Sequence, residues 1–301
     1  MQDSLVRAEP RRIGADLQVG PLGFGCWRLV AMSPAEARVR IETALDAGMN
    51  LVDTADVYGL DWGGEGFGAA EALLGRVLSE APALRDRMVL ATKGGIRPPV
   101  PYDSSEAGLL AACEASLKRL GVECVDLYQI HRPDLYAHPA EVAGALLRLR
   151  EAGKIREAGV SNHTPAQVDA LVAHLPFPLA TSQPEFSAAC LAPMRDGTFD
   201  QCMRLGLTPL AWSPLAGGRL VAGEGLSHDL LSTLDRVAKA RDTDRITLAL
   251  AFVLAHPAAP VALLGTLQPE RIRAATAALD VTLERADVYA IFQASEGASL
   301  P

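Results

Sequence analysis

Four side chains in this sequence are of types that can move a proton together: Asp53, Tyr58, Lys93 and His131. A tyrosine hydroxyl ordinarily titrates near ~10, too high for ready exchange at neutral pH. A lysine ammonium within a few ångströms favours the phenolate. Lowering the phenol by about three units needs about 4 kcal/mol, which one partly desolvated charge contact can supply. Asp53 would keep Lys93 charged and aimed at the phenol, and His131 would donate a hydrogen bond to a substrate oxygen or relay the proton. Such a set gives a proton to a carbonyl oxygen, or takes one from an alcohol, while hydride moves at carbon. Taken singly, each residue has a plainer reading. Asp53 could cap a helix, Tyr58 could pack a loop, and His131 could be a satisfied core histidine. Ser161-Asn162 could be a turn dipeptide, and Gln183 a loop tether. The argument rests on their convergence.

Convergence requires elements that bring the residues to one place. Short apolar runs suited to strands fall at 22–27, 50–53, 88–93, 125–131, 155–161, 179–183, 207–212 and 261–265. They are almost continuously apolar, as strands covered on both faces should be. Amphipathic runs separate them, opened by Ser33-Pro34-Ala35-Glu36 and Thr164-Pro165-Ala166-Gln167 capping boxes and closed by Gly48, Gly121, Gly153 and Gly206. Eight βα units predict an α/β fold, a single (β/α)8 TIM barrel over residues 1–301. A doubly wound sheet is the competitor, but Leu22-Gly23-Phe24-Gly25-Cys26-Trp27 lacks the third glycine of its dinucleotide turn. Gly64-Glu65-Gly66-Phe67-Gly68-Ala69 has the right spacing without a preceding strand, and reads as loop and helix start. In a barrel the carboxyl ends of the strands share one mouth. Asp53, Lys93, His131, Ser161-Asn162 and Gln183 end successive runs, with Tyr58 in the loop after the second.

Composition narrows the class. Acidic residues outnumber basic ones 36 to 28, for a net charge of −8, which argues against a nucleic-acid or anionic-membrane partner. No run reaches the roughly 20 apolar residues of a membrane helix. The first residues carry no apolar leader core, so a reducing cytoplasm is expected. The five cysteines (Cys26, Cys113, Cys124, Cys190, Cys202) have no metal-type spacing and read as buried small hydrophobes.

Several segments resemble the aldo-keto reductase superfamily, in its bacterial NADP-dependent oxidoreductase branch. They are Asp53-Thr54-Ala55-Asp56-Val57-Tyr58-Gly59, Ala91-Thr92-Lys93, Asp126-Leu127-Tyr128-Gln129-Ile130-His131, Gly153-Lys154-Ile155-Arg156 with Gly159-Val160-Ser161-Asn162, and Ala211-Trp212-Ser213-Pro214-Leu215 continued through Leu220. The resemblance implies a nicotinamide cofactor, usually NADPH, held without a Rossmann domain, and a small carbonyl or alcohol substrate. It implies Tyr58 as general acid supported by Lys93, Asp53 and His131. Trp212 would stack on the nicotinamide, and Ser161, Asn162 and Gln183 would bind its carboxamide. Ser213, Pro214, Leu215, Gly217 and Arg219 would follow the pyrophosphate. Gly25, Cys26 and Trp27 would approach the ribose, with Asp53 also beside the cofactor and Trp27 facing substrate. Gly265, Thr266, Leu267 and Arg271 correspond to the adenosine-phosphate segment. Many members carry Lys at the Gly265 position and Glu-Asn at Ala274-Ala275, so NADPH is preferred here and NADH stays open. The substrate pocket should draw on Trp27, Tyr58, Trp62, residues 97–104, His131-Arg132, residues 183–186 and the carboxy-terminal residues. Trp27, Trp62 and Phe186 suit an apolar or ring substrate, whereas Arg97 and Arg132 suit an anionic or polyhydroxylated one or are simply solvated. Two other readings are open: a Schiff-base aldolase-type barrel using Lys93, and a cofactor-sensing subunit with little turnover.

Overall fold

A computed structural model describes residues 4–60 and 63–301; Trp62, expected in the substrate pocket, lies outside the described residues. Ten strands are present among the described residues: β1 (Arg11–Ile13), β2 (Leu17–Val19), β3 (Leu22–Gly25), β4 (Leu51–Asp53), β5 (Val89–Gly94), β6 (Val125–Ile130), β7 (Ile155–Ser161), β8 (Thr181–Gln183), β9 (Thr208–Ala211) and β10 (Val261–Leu264). β3 to β10 pair in parallel in chain order, and β10 returns to β3 to close a barrel. This is the (β/α)8 architecture, and its eight staves are the eight apolar runs of the sequence. Several are shorter than those runs: Trp27, His131 and Trp212 lie beyond the last residue of their strands, where the chain turns into the mouth loops.

The period of two along each stave sorts its side chains. Leu51, Val89, Ala91, Leu127, Leu210, Val261 and Leu263 form one buried cluster, and the alternate Phe24, Val52, Leu90, Tyr128, Ile130 and Val160 pack with the helices. Continuing the inner rows by two residues gives Asp53 after Leu51, Lys93 after Ala91 and Gln129 after Leu127. Register places Asp53 beside Ala91, Lys93 beside Gln129, and Ser161 beside Gln183. The barrel thus carries an apolar floor and a polar layer above it.

The floor is plugged by an antiparallel hairpin absent from the sequence expectation. β1 and β2 contribute Ile13, Leu17 and Val19 to the inner cluster, and the Ala15 N–H at its turn donates to Glu157 on β7 at 3.0 Å. Each strand has three residues, two buried around one exposed, too short a pattern to stand out beside Arg11-Arg12.

Outside the barrel, both expected capping boxes form. Ser33 and Glu36 open helix Pro34–Asp46, and Thr164 and Gln167 open helix Pro165–Val172, each pair bonding both ways. Gly121 and Gly206 take left-handed φ values of 68° and 71° as helix C-caps, where another residue would be strained.

Candidate active site

The polar layer is organised by one buried cation. Lys93 is fully buried, and its Nζ donates to Asp53 Oδ2 at 2.6 Å, the Thr54 carbonyl at 2.8 Å and Tyr58 Oη at 3.2 Å. Backbone bonds fix this meeting. Leaving β4, the chain crosses the end of β5, the Thr54 N–H donating to Ala91 O and the Asp56 N–H to Lys93 O. Tyr58 is therefore delivered over the lysine, which also lies 4.9 Å from its ring centroid. The other Asp53 oxygen accepts from Gln129 Nε2 at 3.3 Å and Gln183 Nε2 at 3.1 Å. Both carboxylate oxygens thus meet donors, as a carboxylate this deep requires.

Burial opposes the Lys93 ammonium, but Asp53 and Tyr58 outweigh it, and the group holds its proton more firmly than an ordinary lysine. Tyr58 departs from the sequence expectation. Burial raises its pKa by more than Lys93 lowers it, and Asp53 adds to the rise. The lysine's pull was legible in the sequence; the desolvation was not. The phenol therefore holds a proton to give, and Lys93 is placed to stabilise the phenolate that giving it leaves. His131 meets Tyr58 edge to face with ring centroids 5.8 Å apart. Burial, then the charges of Lys93 and Arg132, push it well below the usual histidine range, so its ring is neutral. Its buried Nδ1 has no hydrogen-bond partner among the described residues.

The loops that follow β7 to β10 stand beside this cluster as a line of residues along the mouth, termed the trough. Asn162, in the left-handed region at φ 59°, donates from Nδ2 to the His131 carbonyl at 3.1 Å and to Ser161 Oγ at 2.8 Å, and accepts the Trp212 Nε1–H at 3.0 Å. The indole is held by that bond. Ser161 Oγ donates to the Gln183 carbonyl at 3.0 Å. After Trp212 the backbone is left-handed at Ser213, Ala216, Gly217 and Gly218, with nothing within 4 Å of a Cβ built on either glycine. The Ala216 and Gly218 N–H groups close the turn on Ser213 O and Leu215 O at 2.7 and 2.9 Å, and a backbone turned this sharply can offer its other N–H groups to an anion. Pro214 is buried and Leu215 half-buried in this turn, and Arg219 Nε donates back to Ala216 O at 3.2 Å. Across the trough, Gly25 leaves room where a Cβ would stand 3.3 Å from Leu264 O. Thr266 Oγ1 accepts from the Gln268 N–H at 3.4 Å at the start of helix Pro269–Ala274, on which Arg271 is exposed. These residues suit a nicotinamide dinucleotide: a fixed indole, a ring of amides and a glycine turn.

The family model described as the Aldo/keto reductase family matches residues 21–296. The chain belongs to that family. This aldo-keto reductase is 48 % identical to a 6-dehydroglucose reductase of Novosphingobium aromaticivorans, with 97 % of each chain covered. It is 34 % identical to a 6-dehydroglucose reductase of Agrobacterium fabrum, covering 93 % of this chain and 96 % of that one. It is 37 % identical to the oxidoreductase YdhF of Escherichia coli, covering 92 % and 94 %. Among solved structures, a glycerol dehydrogenase of Gluconobacter oxydans superposes with a TM-score of 0.82 at 27 % identity, covering 95 % of both chains. The protein is thus an NAD(P)H-dependent carbonyl reductase acting on small carbonyl compounds. No helix among the described residues is long and apolar enough to cross a membrane.

Within the aldo-keto reductase, the expected residues do not all stand open. Asp53 is 2 % exposed with both oxygens engaged, and Gln183 gives its amide N–H to Asp53. Cys26 is fully buried, its thiol pushed upward by burial and Asp53, and its backbone N–H is given to the Asp53 carbonyl at 2.8 Å. Leu267 is partly buried against the core. Phe186, expected in the pocket, is fully buried against Phe199 with ring centroids 4.8 Å apart, and serves the core. Trp27 remains at the mouth, 38 % exposed. Two site residues were missed. Gln129 lies two positions before His131, so the period of two could have found it. Arg28 spans the trough, donating to Gly265 O at 3.3 Å and Gly217 O at 3.4 Å; its only sequence signal is its place directly after Trp27.

Proposed function

We propose that this enzyme reduces the aldehyde of a sugar-like substrate of the 6-dehydroglucose type to its primary alcohol, with NADPH as coenzyme, and that residues 1–301 act as one barrel unit. The observation that carries the reading is the contact of Tyr58 Oη with the buried Lys93 ammonium at 3.2 Å. Bound in the trough, the reduced nicotinamide supplies the hydride that the carbonyl carbon accepts. Tyr58 donates the proton to the carbonyl oxygen. Lys93 steadies the phenolate left behind, and Asp53 holds Lys93 in place with Gln129 and Gln183 behind it. Neutral His131 donates an N–H to the same oxygen and orients it. Trp212, Ser161, Asn162 and Gln183 would hold the nicotinamide. Ser213, Pro214, Leu215, Gly217, Arg219 and Arg28 would hold the pyrophosphate. Gly25, Cys26 and Trp27 would border the ribose, and Gly265, Thr266, Leu267 and Arg271 the adenosine end. An arginine and a hydroxyl at that end favour the 2′-phosphate of NADPH. The sugar assignment draws on the two relatives that carry that activity in their names.

The Schiff-base reading fares worse. An amine must be neutral and free to attack, whereas the Lys93 ammonium spends its three donors on Asp53, Thr54 and Tyr58. An initial-rate screen of aldehydes, ketones and sugars with NADPH and NADH tests the proposal. The highest kcat/KM is expected for 6-dehydroglucose with NADPH. A better rate with NADH, or with an unhydroxylated ketone, would overturn it. Tight coenzyme binding with no turnover across the panel would instead favour a sensing role.

A further inference from the structure

Resting on the sugar-aldehyde reading above, we propose that Arg132 recognises the substrate's hydroxyl groups, its guanidinium donating to two neighbouring hydroxyl oxygens while the aldehyde carbon lies at Tyr58. Arg132 follows His131 at the mouth end of β6 and is half-buried. Among the described residues it has no hydrogen bond, ion pair or ring partner. Every other buried or half-buried arginine among them has one: Arg85 meets Asp126, Arg119 meets Glu71, and Arg150 lies over the Phe177 ring. A chain with a net charge of −8 has carboxylates to spare, yet the nearest in sequence is engaged elsewhere. Asp134 accepts from the Ser104 N–H at 2.9 Å and the Tyr136 N–H at 3.0 Å. Its guanidinium nitrogens are not shut off from water, so the group can exchange solvent for a ligand, and it directly follows His131, whose ring its charge helps keep neutral.

The two arginines that the sequence left undecided therefore separate. Arg97 is exposed and paired with Asp103 at 3.0 Å, whereas Arg132 awaits a partner. A planar fork with parallel N–H groups matches two adjacent oxygens, and adjacent hydroxyls are what a hexose offers along its ring. A carboxylate would fit the same fork, and the choice of a sugar follows the two relatives named for 6-dehydroglucose. Here Lys93 is consumed internally and Arg97 is neutralised by Asp103.

The test compares three aldehydes with the wild type, Arg132→Ala and Arg132→Lys: 6-dehydroglucose, hexanal, and the carboxylated 4-oxobutanoate. Hydrogen bonds to a charged donor set the scale, so Arg132→Ala should lower kcat/KM for 6-dehydroglucose about 10- to 100-fold more than for hexanal, mostly through KM. Arg132→Lys should recover part of that loss, since it keeps the charge and gives up the fork. Titration of NADPH binding by fluorescence should show the same affinity in all three proteins, which establishes that the variants are folded. Equal losses on the sugar and on hexanal would overturn the proposal, as would a loss greatest on 4-oxobutanoate, which would make the site an anion site. A wild-type enzyme with no preference for the sugar over hexanal would overturn the sugar reading and this proposal with it. A wild-type preference that Arg132→Ala leaves intact would overturn this proposal alone.

Discussion

Replacing Lys93 with methionine should cost both stability and turnover, and the two losses should part company when Asp53 is changed as well. The side chains of Lys93 and Asp53 are 0 % and 3 % exposed and meet at 2.6 Å. Methionine fills much of the lysine's volume but leaves the Asp53 carboxylate facing only the neutral amides of Gln129 and Gln183, at 3.3 and 3.1 Å. Breaking a buried pair from one side costs about 3–5 kcal/mol, because the remaining charge is uncompensated. At roughly 2.1 cal/mol/K of unfolding entropy per residue, 301 residues give about 0.6 kcal/mol/K, and Tm should fall by about 5–8 °C. The double variant Asp53→Asn/Lys93→Met removes both charges and should regain most of that stability, since a neutral buried site escapes the desolvation penalty. Turnover should not return, because Tyr58 still lacks its cation. The assay is thermal unfolding of the wild type, both singles and the double, with kcat for each. A Lys93→Met protein within about 1 kcal/mol of wild type, or a double variant less stable than that single, would refute the reasoning.

Two further outcomes follow from the same structure. Asp56, two residues before Tyr58 in the same loop, is buried with Oδ1 unpartnered among the described residues, and burial, then Glu71, hold its carboxyl well above the usual range. The folded state keeps a proton that the unfolded chain releases near ~3.9, so the wild type loses stability as pH rises from there toward the folded value. Asp56→Asn mimics the neutral acid, and its Tm advantage over wild type should widen between pH 5 and pH 8; a gap that narrows would contradict this. Gly217 has φ 69° with open space around a built Cβ. Gly217→Ala should cost only about 1 kcal/mol of stability yet weaken NADPH binding at least about tenfold, by intruding where the phosphate approaches the backbone. Unchanged affinity in a calorimetric titration would remove this turn from the coenzyme site.

The barrel was legible because its staves are apolar on both faces and several are set off by capping boxes or terminal glycines. The polar layer was legible because Asp53, Lys93, His131 and Gln183 interrupt those apolar runs at their ends. Other features were hidden for physical reasons. The β1–β2 hairpin has three-residue strands bearing two arginines, below the length at which alternation is visible. Phe186 follows Gln183 into the mouth in sequence, but backbone pairing with Trp212 turns it into the core. The direction of the Tyr58 shift depends on the balance between burial and one charge, which only coordinates supply. Arg97 and Arg132 read alike in sequence and differ in burial and in whether a carboxylate reaches them, which only coordinates supply.

The central claim is that the Tyr58 hydroxyl gives its proton to the substrate oxygen. Its most direct test is the single-turnover rate of Tyr58→Phe with NADPH and 6-dehydroglucose, measured beside the NADPH dissociation constant of the same protein. A loss of about 10²- to 10⁴-fold in rate is expected, the span of one general acid, with coenzyme affinity unchanged. A Tyr58→Phe enzyme that turns over near the wild-type rate would contradict the account.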